Sequence, residues 1–493
     1  MTSRDSRVRP ENLPSSSRPW LLFAGIGLFV ATYLVFYPPV FAIVDEDAYL
    51  SQALLLRTGR VTYALGPDEA PHMSTGVPGR MASKYPPGNS LFLVPFTLPG
   101  WRFVFVSGLV LAVAGTLLFW RVLRRLAPES DPAWALAWLF YPSVVIYSRT
   151  VMSDLFCATL TLAAFYFLLR AGRWTLAAGL AFGFSFLTRY SNAVLFPVFV
   201  LLAQTGGPGR LRRAALFMLG FAPFVALALG YNRLCYGGPL AFPMHLTTVF
   251  SPAFVPRNLV LYGSSLLVAW PLALAAPLAA GRRLLLWLGL PAAALFIFYC
   301  FVPHPTPGLD FVGRTVVGLR YLLPAAPFLL LAWCAVLDRL SRPLLFAAAL
   351  RVLLVVLFAA SSVVLQWRHQ QALKEQDSCR RALLSMVPEG AYVLANAAAA
   401  ELLSPAWGTR PHRLYVEHGV PVEFARPAPE AETVYAVFRK LPGRDQSAER
   451  VVFERLRVCR GGEAAGVQGC RLPGRGAGRA GSGCGLVVGR LKP

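Results

Sequence analysis

WLLFAGIGLFVATYLVFYPPVFAI (residues 20–43) runs directly into VDEDAY (residues 44–49) near the start of the chain. The apolar run is long enough to cross a hydrocarbon core of roughly 30 Å as one helix. It exceeds the apolar region of a cleaved signal peptide, and no small-x-small cleavage site follows, so we interpret it as a first membrane span. Asp45, Glu46 and Asp47 therefore stand where this span leaves the bilayer. They are either a solvated helix end or half of an active site at the membrane surface.

The composition of the whole chain indicates a multi-pass membrane protein. Of 493 residues, 56% are hydrophobic and 14% charged, and the mean hydropathy is +0.53. Apolar runs recur as far as Leu365 and predict about eleven spans, so the fold class we expect is an all-α polytopic membrane protein. The formal net charge of +23 comes from short basic clusters between these runs, and membrane topology explains such clusters better than a nucleic-acid partner does.

Basic residues predict the orientation of the chain, because short cytoplasmic connections are enriched in Lys and Arg. Every second connection carries a cluster, and we assign these clusters to the cytoplasm: Arg4, Arg7, Arg9 and Arg18; Arg121, Arg124 and Arg125; Arg170 and Arg173; Arg210, Arg212 and Arg213; Arg282 and Arg283; Arg339 and Arg342. The loop 44–101 and the tail after Leu365 are then predicted to face outside. A bacterial inner membrane is the location we expect.

The predicted domains follow from composition. Residues 1–19 form a cytoplasmic segment, 20–365 the membrane domain with its outer loop 44–101, and 366–460 a small extracytoplasmic α/β domain. Within the last, strands are predicted at 391–395, 413–416, 433–438 and 451–456, and a helix at 396–403. Residues 461–493 are rich in Gly and Arg and are predicted to be disordered.

The eight cysteines give no sign of a metal site or a redox pair, because no CxxC pair occurs. Four of them, Cys157, Cys235, Cys300 and Cys334, lie in or near apolar runs, which is typical of packing residues. A disulfide among Cys459, Cys470 and Cys484 in the tail stays open.

Four further motifs fall at the predicted outer ends of spans. Lys84 and Tyr85 open KYPPG, where two prolines fix a turn, and a lysine held there suits a lipid phosphate. Asp154 ends MSD and can either cap a helix or bring a second carboxylate to the site. The remaining two motifs, LTRY and GLRY, carry Arg189, Arg320 and Tyr321. For each arginine, snorkelling to the interface is the equally weighted alternative.

The order of these motifs resembles the polytopic GT-C glycosyltransferases, in particular the relatives of protein O-mannosyltransferases and of the lipid A aminoarabinose transferase, which are similar to glycosyltransferase family 39. The resemblance covers about residues 20–340. It implies a sugar donor on a polyprenyl phosphate and an acceptor on the outer face. Asp45 and Asp154 match the acids of that pattern, Lys84 the lysine on the lipid phosphate, and Tyr321 an aromatic residue near it.

The expected function is therefore transfer of a hexosyl or pentosyl group from a polyprenyl-phosphate donor to a lipid, glycan or protein acceptor. Asp45 would be the general base, worth about 10²–10⁴-fold, with Glu46 or Asp47 orienting substrate and Asp154 supporting from across the cleft. We expect the phosphate to be bound by Lys84, Tyr85, Arg189, Arg320 and Tyr321. No metal is required, although a divalent cation on Glu46 or Asp47 stays open.

Two other classes of protein compete with this interpretation. A transporter or flippase would place its charges along a path near the midplane, often between internal repeats. No repeat is evident, and the charges gather at one face. A structural subunit would leave the acids unexplained.

Overall fold

The computed structural model describes residues 19–62, 74–77, 80–128, 130–205, 209–241, 250–269, 276, 285–304, 313–341 and 347–387, together with residue 402 and five C-terminal strands. In chain order its α-helices are α1 (Trp20–Val35), α2 (Val44–Arg57), α3 (Gly88–Leu93), α4 (Val106–Leu126), α5 (Leu136–Leu139), α6 (Pro142–Tyr147), α7 (Ser153–Arg170), α8 (Trp174–Thr188), α9 (Phe196–Gln204), α10 (Arg210–Tyr236), α11 (Val255–Ala269), α12 (Leu290–Cys300), α13 (Ala326–Ser341) and α14 (Ala347–Met386).

Four helical segments in the described ranges are long and apolar enough to cross a membrane. They are Trp101–Leu126, Ser153–Arg170, Arg210–Tyr236 and Val352–Met386. Shorter apolar helices of 10–17 residues are Trp20–Val35, Trp174–Thr188, Tyr190–Gln204, Leu286–Cys300 and Ala326–Asp338. The protein is therefore an integral membrane protein, and the number of about eleven spans stays a prediction.

The apolar run at about 133–148, which the sequence predicted as one of the eleven or so spans, is not one continuous helix. A 3₁₀ turn at Pro132–Ala135 leads into α5, and the chain then breaks before α6 begins at Pro142. Proline has no N–H to continue a helix and clashes with the preceding turn, so the helix breaks immediately before Pro142. Trp138 and Tyr141 in this broken segment are fully buried, and it forms part of the core between longer helices.

Glycines let α8 and α10 pack with their backbones in contact. A Cβ atom on Gly179 of α8 would collide with the carbonyl of Phe217, and one on Gly220 of α10 with the carbonyl of Leu176. Small residues at helix interfaces are the usual means of close approach in membranes, where lipid gives no hydrophobic drive to association. This tight pair carries two parts of the site, Arg189 just after α8 and Tyr236 at the end of α10.

The helix α14 continues well past Leu365, where the sequence predicted the end of the membrane domain. Its 40 residues reach about 60 Å at 1.5 Å per residue, about twice the thickness of a hydrocarbon core. Cys379 on its last part is disulfide-bonded. The sequence had suggested a disulfide only among the cysteines of the tail. Cys157, Cys235, Cys300 and Cys334 are free and buried, as expected of packing residues.

A five-stranded sheet follows α14. Its strands are β3 (Tyr392–Asn396), β4 (Arg413–Glu417), β5 (Val434–Arg439), β6 (Cys470–Arg471) and β7 (Leu486–Leu491), in the order β4-β3-β5-β7-β6. β3 pairs in parallel with β4 and β5, whereas β7 pairs antiparallel with β5 and β6. A separate two-stranded ribbon, β1 (Ser74–Thr75) with β2 (Ala82–Ser83), lies in the loop 44–101, which was predicted to face outside.

The first three strands confirm the predictions at 391–395, 413–416 and 433–438 to within a residue or so. The predicted strand at 451–456 lies outside the described residues, as does most of the helix predicted at 396–403. Disorder was the wrong prediction for Cys470–Arg471 and Leu486–Leu491. The latter segment is apolar and β-branched, and it pairs with β5 along the full length of that strand.

Candidate active site

Two carboxylates from separate helices meet at one arginine. Asp45, in the first turn of α2, accepts a hydrogen bond at Oδ2 from Nη2 of Arg320 over 3.1 Å. The same guanidinium approaches Asp154, whose Oδ2 lies 3.6 Å from Nε of Arg320. The sequence predicted all three residues as parts of the site. The fold brings them together although Asp45 and Arg320 are 275 positions apart in the chain.

Asp154 is the fully buried member of the pair. It lies in the first turn of α7, where the helix dipole favours a negative charge, and its Oδ1 accepts a short bond of 2.6 Å from Nη1 of Arg189. Burial alone would lower the pKa of Arg189, but the Asp154 carboxylate raises it well above its ordinary value. Each oxygen of the Asp154 carboxylate therefore lies against an arginine, whereas the side chain of Asp45 keeps 17% of its surface exposed.

Lys84 stands beside this pair on a stack of tyrosines. Its Nζ lies 5.3 Å from the ring centre of Tyr85, which stacks on Tyr49 at 4.6 Å, and Tyr49 donates its hydroxyl hydrogen to Oγ of Ser153 over 2.9 Å. Burial lowers the pKa of Lys84, Asp45 raises it and Arg320 lowers it again. The ammonium group is therefore partly stripped of water and close to the charges of Asp45 and Arg320. We call Asp45, Lys84, Asp154, Arg189 and Arg320 the ionic cluster.

The loop that carries Lys84 is held from the end of α10. Tyr236 donates its hydroxyl hydrogen to the carbonyl of Ser83 over 2.6 Å. On the other side Gln52 of α2 donates to the carbonyl of Tyr85 at 3.4 Å and to the hydroxyl of Tyr231 at 2.7 Å. These contacts could not be predicted from the sequence, because a tyrosine in an apolar run gives no sign of its partner.

Tyr321 completes the cluster on its aromatic side. The guanidinium carbons of Arg189 and Arg320 lie 5.6 and 5.7 Å from its ring centre, within cation–π distance. The ring of Tyr299 stacks on that of Tyr321 with the ring centres 5.4 Å apart, and His304 meets the Tyr321 ring edge-on at 5.0 Å. Tyr299 lies in the apolar run at about 284–302, which was predicted as a span, so only the structure assigns it here.

Glu46 has a different environment from Asp45, although the two are adjacent. Its Oε1 accepts from the amides of Ala42 and Ile43 at 2.8 and 2.9 Å, and its Oε2 from the amide of Val151 at 2.9 Å. Burial raises the pKa of Glu46 to about 7, and the three amides oppose that shift. Because both oxygens bind backbone, we infer that Glu46 ties the start of α2 to the segment before α7 rather than contacting substrate.

A metal ion has no evident set of ligands in the described ranges. Glu46 offers no free oxygen, and Asp47 is 6% exposed. No group of three or more His, Cys, Asp or Glu side chains in these ranges is arranged to hold a metal. The cations of the site are the side chains of lysine and arginine.

Arg149 braces the same region from the opposite side. It is fully buried, and its Nε and Nη2 donate to Nδ1 of His369 at 3.1 Å and to Oε1 of Gln370 at 2.6 Å. Both partners belong to α14, more than 200 residues away, as the separations of 220 and 221 show. The long helix thereby reaches the segment that leads into Asp154.

Gly88 brings two sequence motifs into backbone contact. A Cβ atom here would lie 2.5 Å from the amide nitrogen of Thr188 and 2.6 Å from the carbonyl carbon of Leu187. Such distances exclude any side chain unless the backbone moves. KYPPG is thus pressed directly onto LTRY, one residue away from Arg189.

Comparison with known proteins identifies the fold. No protein-family model and no curated protein sequence matches the chain. A crystal structure of ArnT from Cupriavidus metallidurans bound to undecaprenyl phosphate is similar with a TM-score of 0.58 and 13% identity over 96% of this chain and 98% of that one. The apo state of that protein gives a TM-score of 0.57 and 15% identity over the same shares.

An oligosaccharyltransferase from Archaeoglobus fulgidus in its apo form gives a TM-score of 0.47 and 13% identity over 84% of this chain and 69% of that one. The identities are low, so the similarity to the ArnT structures concerns the arrangement of the chain. It extends over nearly the whole length of the chain. The chain therefore has the GT-C fold that its motif order implied.

Proposed function

We propose that this protein is a membrane glycosyltransferase that moves a sugar from a polyprenyl-phosphate donor to an acceptor on the outer face of the membrane. The ionic cluster is the observation that carries the proposal. It places a partly exposed carboxylate, Asp45, within hydrogen-bond distance of Arg320, with Lys84 close to both. A reaction that takes a proton from a hydroxyl and releases a phosphate needs a base and cations side by side.

The charges of the cluster suit a phosphate. Three cations, Lys84, Arg189 and Arg320, face two carboxylates, and Arg189 is already held by Asp154 at 2.6 Å. Lys84 and Arg320, whose side chain keeps 17% of its surface exposed, are then the cations available to an incoming anion. Undecaprenyl phosphate is the molecule bound to the structurally similar ArnT, which supports a lipid phosphate as the class of ligand here.

The proposed step balances as a substitution at the sugar. The acceptor oxygen bonds to the anomeric carbon, the bond from that carbon to the phosphate oxygen breaks, and the electron pair leaves with the polyprenyl phosphate. The acceptor proton goes to Asp45, and Lys84 with Arg320 stabilises the charge that develops on the leaving group. Asp154 is buried and bound to arginine, so its role is to hold Arg189 and Arg320 in place.

Two observations support the outer face as the side of the reaction. The basic clusters alternate along the chain in the phase that puts 44–101 outside. Cys379, on the part of α14 that continues beyond the predicted span, is disulfide-bonded, and such bonds persist mainly in oxidising compartments.

The test is turnover of a polyprenyl-phosphate sugar by the purified protein, with lipid, glycan and peptide acceptors and with hexose and pentose donors. Asp45→Asn should lower turnover by about 10²–10⁴-fold, because the base is lost while size is kept. Asp131→Asn is the matched control: this acid caps a 3₁₀ turn at Pro132–Ala135 and should leave turnover unchanged. Turnover near that of the wild type in Asp45→Asn would refute the assignment.

The transporter alternative has its own outcome. Protein in liposomes that moves the donor lipid between leaflets, and yields no glycosylated product with any acceptor, would replace the glycosyltransferase proposal.

A further inference from the structure

Arginines and aromatic rings alternate at the end of the helices opposite the ionic cluster. The guanidinium of Arg125, from α4, lies 5.6 Å from the ring centre of Tyr166, and that of Arg170 lies 6.0 Å from the same ring. Arg170 also lies 3.8 Å from the ring of Trp174, which Arg173 approaches at 5.8 Å. We call these five residues the arginine row.

The row is continuous across two helices that meet at their C-terminal ends. Arg125 donates from Nη1 to the carbonyl of Leu169 at 3.5 Å, which joins the end of α4 to the end of α7. Arg124 adds a further guanidinium, 5.5 Å from the ring of Trp120. Four arginines are therefore gathered on three rings within a short stretch of surface.

Among the residues that the structure describes, these cations have no carboxylate partner. Arg124, Arg125, Arg170 and Arg173 are all exposed, and none has a carboxylate within ion-pair distance in the described ranges. Two guanidiniums on one tyrosine and two on one tryptophan repel each other. An anion between them would relieve that repulsion, and a phosphate oxygen pair matches the planar donors of arginine.

The position of the row indicates which anion it meets. Arg170 ends α7 and Asp154 begins it, so the row lies about 24 Å from the ionic cluster along that helix, at 1.5 Å per residue. That is close to the thickness of a hydrocarbon core. Trp and Tyr rings are typical of the headgroup level, and clusters of basic residues there attract anionic lipids.

We propose that the arginine row is a binding site for the phosphodiester headgroup of an anionic phospholipid in the inner leaflet. The guanidiniums of Arg170 and Arg173 take the phosphate, and the rings of Tyr166 and Trp174 hold those guanidiniums in place. The site is separate from the one proposed for the donor lipid and does not depend on the chemistry of the reaction.

The chain contains a matched control for simple electrostatic attraction. Arg210 and Arg212 at the start of α10 are exposed and belong to the same predicted cytoplasmic side, but no aromatic ring contacts either within the described part. Arg170→Gln with Arg173→Gln and Arg210→Gln with Arg212→Gln remove the same charge. Only the first pair removes the row.

The experiment is native mass spectrometry of the full-length protein in detergent, titrated with dioleoyl phosphatidylglycerol or with dioleoyl phosphatidylcholine. The wild type should retain the anionic lipid in preference to the zwitterionic one. The double variant in the row should weaken phosphatidylglycerol binding by about tenfold or more, since each charged hydrogen bond to phosphate is of that order. The Arg210 and Arg212 variant should stay within about twofold of the wild type, because surface charges that make no specific contact contribute little.

Two further measurements make the result specific. Arg170→Lys with Arg173→Lys keeps the charge but loses the planar fork, so it should recover only part of the affinity and also shows that the fold is intact. Inorganic phosphate should not displace the lipid at equal concentration, which separates a lipid site from a site for free phosphate. Equal losses in the two glutamine variants, or equal binding of the two lipids, would overturn the proposal.

Discussion

Arginines lie at both ends of α7, in opposite environments. At its start, Arg189 and Arg320 are largely buried against carboxylates, with only 14% and 17% of their side chains exposed. At its end, Arg170 and Arg173 are exposed and lie on aromatic rings. The end at Asp154 holds balanced charges out of water, whereas the end at Arg170 leaves positive charge available to the surroundings.

This difference has an energetic meaning. A buried pair costs desolvation of both ions, and removing one partner leaves a charge with no compensation. An exposed arginine remains hydrated, so its loss changes the folded state little. Substitutions at the Asp154 end should therefore affect both stability and activity, and those at the Arg170 end mainly what the protein binds.

The largest expected effect is on stability at Asp154. Asp154→Ala should lower the free energy of unfolding by about 3–5 kcal/mol, since Arg189 would lose the carboxylate at 2.6 Å. Arg170→Ala at the other end of the helix should change it by no more than about 0.5 kcal/mol. Thermal unfolding of both variants in the same detergent measures the contrast. Equal shifts would show that the two ends do not differ in the way described.

The next effect is on donor affinity. Lys84→Ala should weaken binding of undecaprenyl phosphate by roughly ten- to a hundred-and-fifty-fold, the equivalent of a charge-assisted contact of about 1.5–3 kcal/mol. Lys84→Arg should recover part of it, because the charge is kept with a different geometry. Arg210→Gln, at the exposed start of α10 and outside both proposed sites, is the control and should leave this affinity unchanged. Unchanged affinity in Lys84→Ala would remove the lysine from the donor site.

A third effect concerns pH and Glu46. Burial raises the pKa of this carboxyl from 4.5 to about 7, so the folded state keeps a proton that the unfolded state has lost between these values. The free energy of unfolding should consequently decrease as the pH rises from about 4.5 to about 7. Glu46→Gln should remove this dependence and, because the amide turns a donor toward backbone N–H groups, destabilise by about 1–3 kcal/mol at low pH. The opposite slope in the wild type would mean that the amide bonds outweigh burial.

The smallest effect is expected at Tyr236. Tyr236→Phe removes the bond to the Ser83 carbonyl and should weaken undecaprenyl phosphate binding roughly two- to twelvefold, for a net bond of about 0.5–1.5 kcal/mol. Tyr37→Phe removes a bond of the same kind, to the carbonyl of Arg102 at 2.7 Å, and is the control. In a Lys84→Ala background Tyr236→Phe should have no further effect on binding. An additive loss there would make Tyr236 a purely structural residue.

Sequence reasoning reached the ionic cluster through topology. Asp45, Asp154, Arg189 and Arg320 were predicted to lie at outer span ends because the basic clusters set the phase of the chain. Residues at the same ends of neighbouring spans lie close together, and the structure confirms that these four do. The resemblance to GT-C enzymes added the expectation that they share one site.

Contacts between residues far apart in the chain, or without a recognisable motif, could not be predicted from the sequence. Arg149 finds His369 and Gln370 only because α14 runs past the end of the predicted span, and hydropathy ends where that span ends. Glu46 could not be distinguished from Asp45, since neighbours on a helix face different ways and only the surrounding backbone decides which one is buried. Cys379 is a similar case, because a disulfide depends on distances that a sequence does not contain.

The contact at Gly88 fixes the spacing between the KYPPG loop and the end of α8. The backbones of KYPPG and LTRY already touch, because a Cβ atom on Gly88 would lie only 2.5 Å from the Thr188 amide nitrogen. No other residue fits at position 88 unless the two segments move apart. Attempts to engineer donor preference should therefore leave this position untouched. Libraries directed at Tyr299 and Tyr321, whose rings stack at 5.4 Å beside Arg189 and Arg320, would vary the aromatic side of the site without changing that spacing.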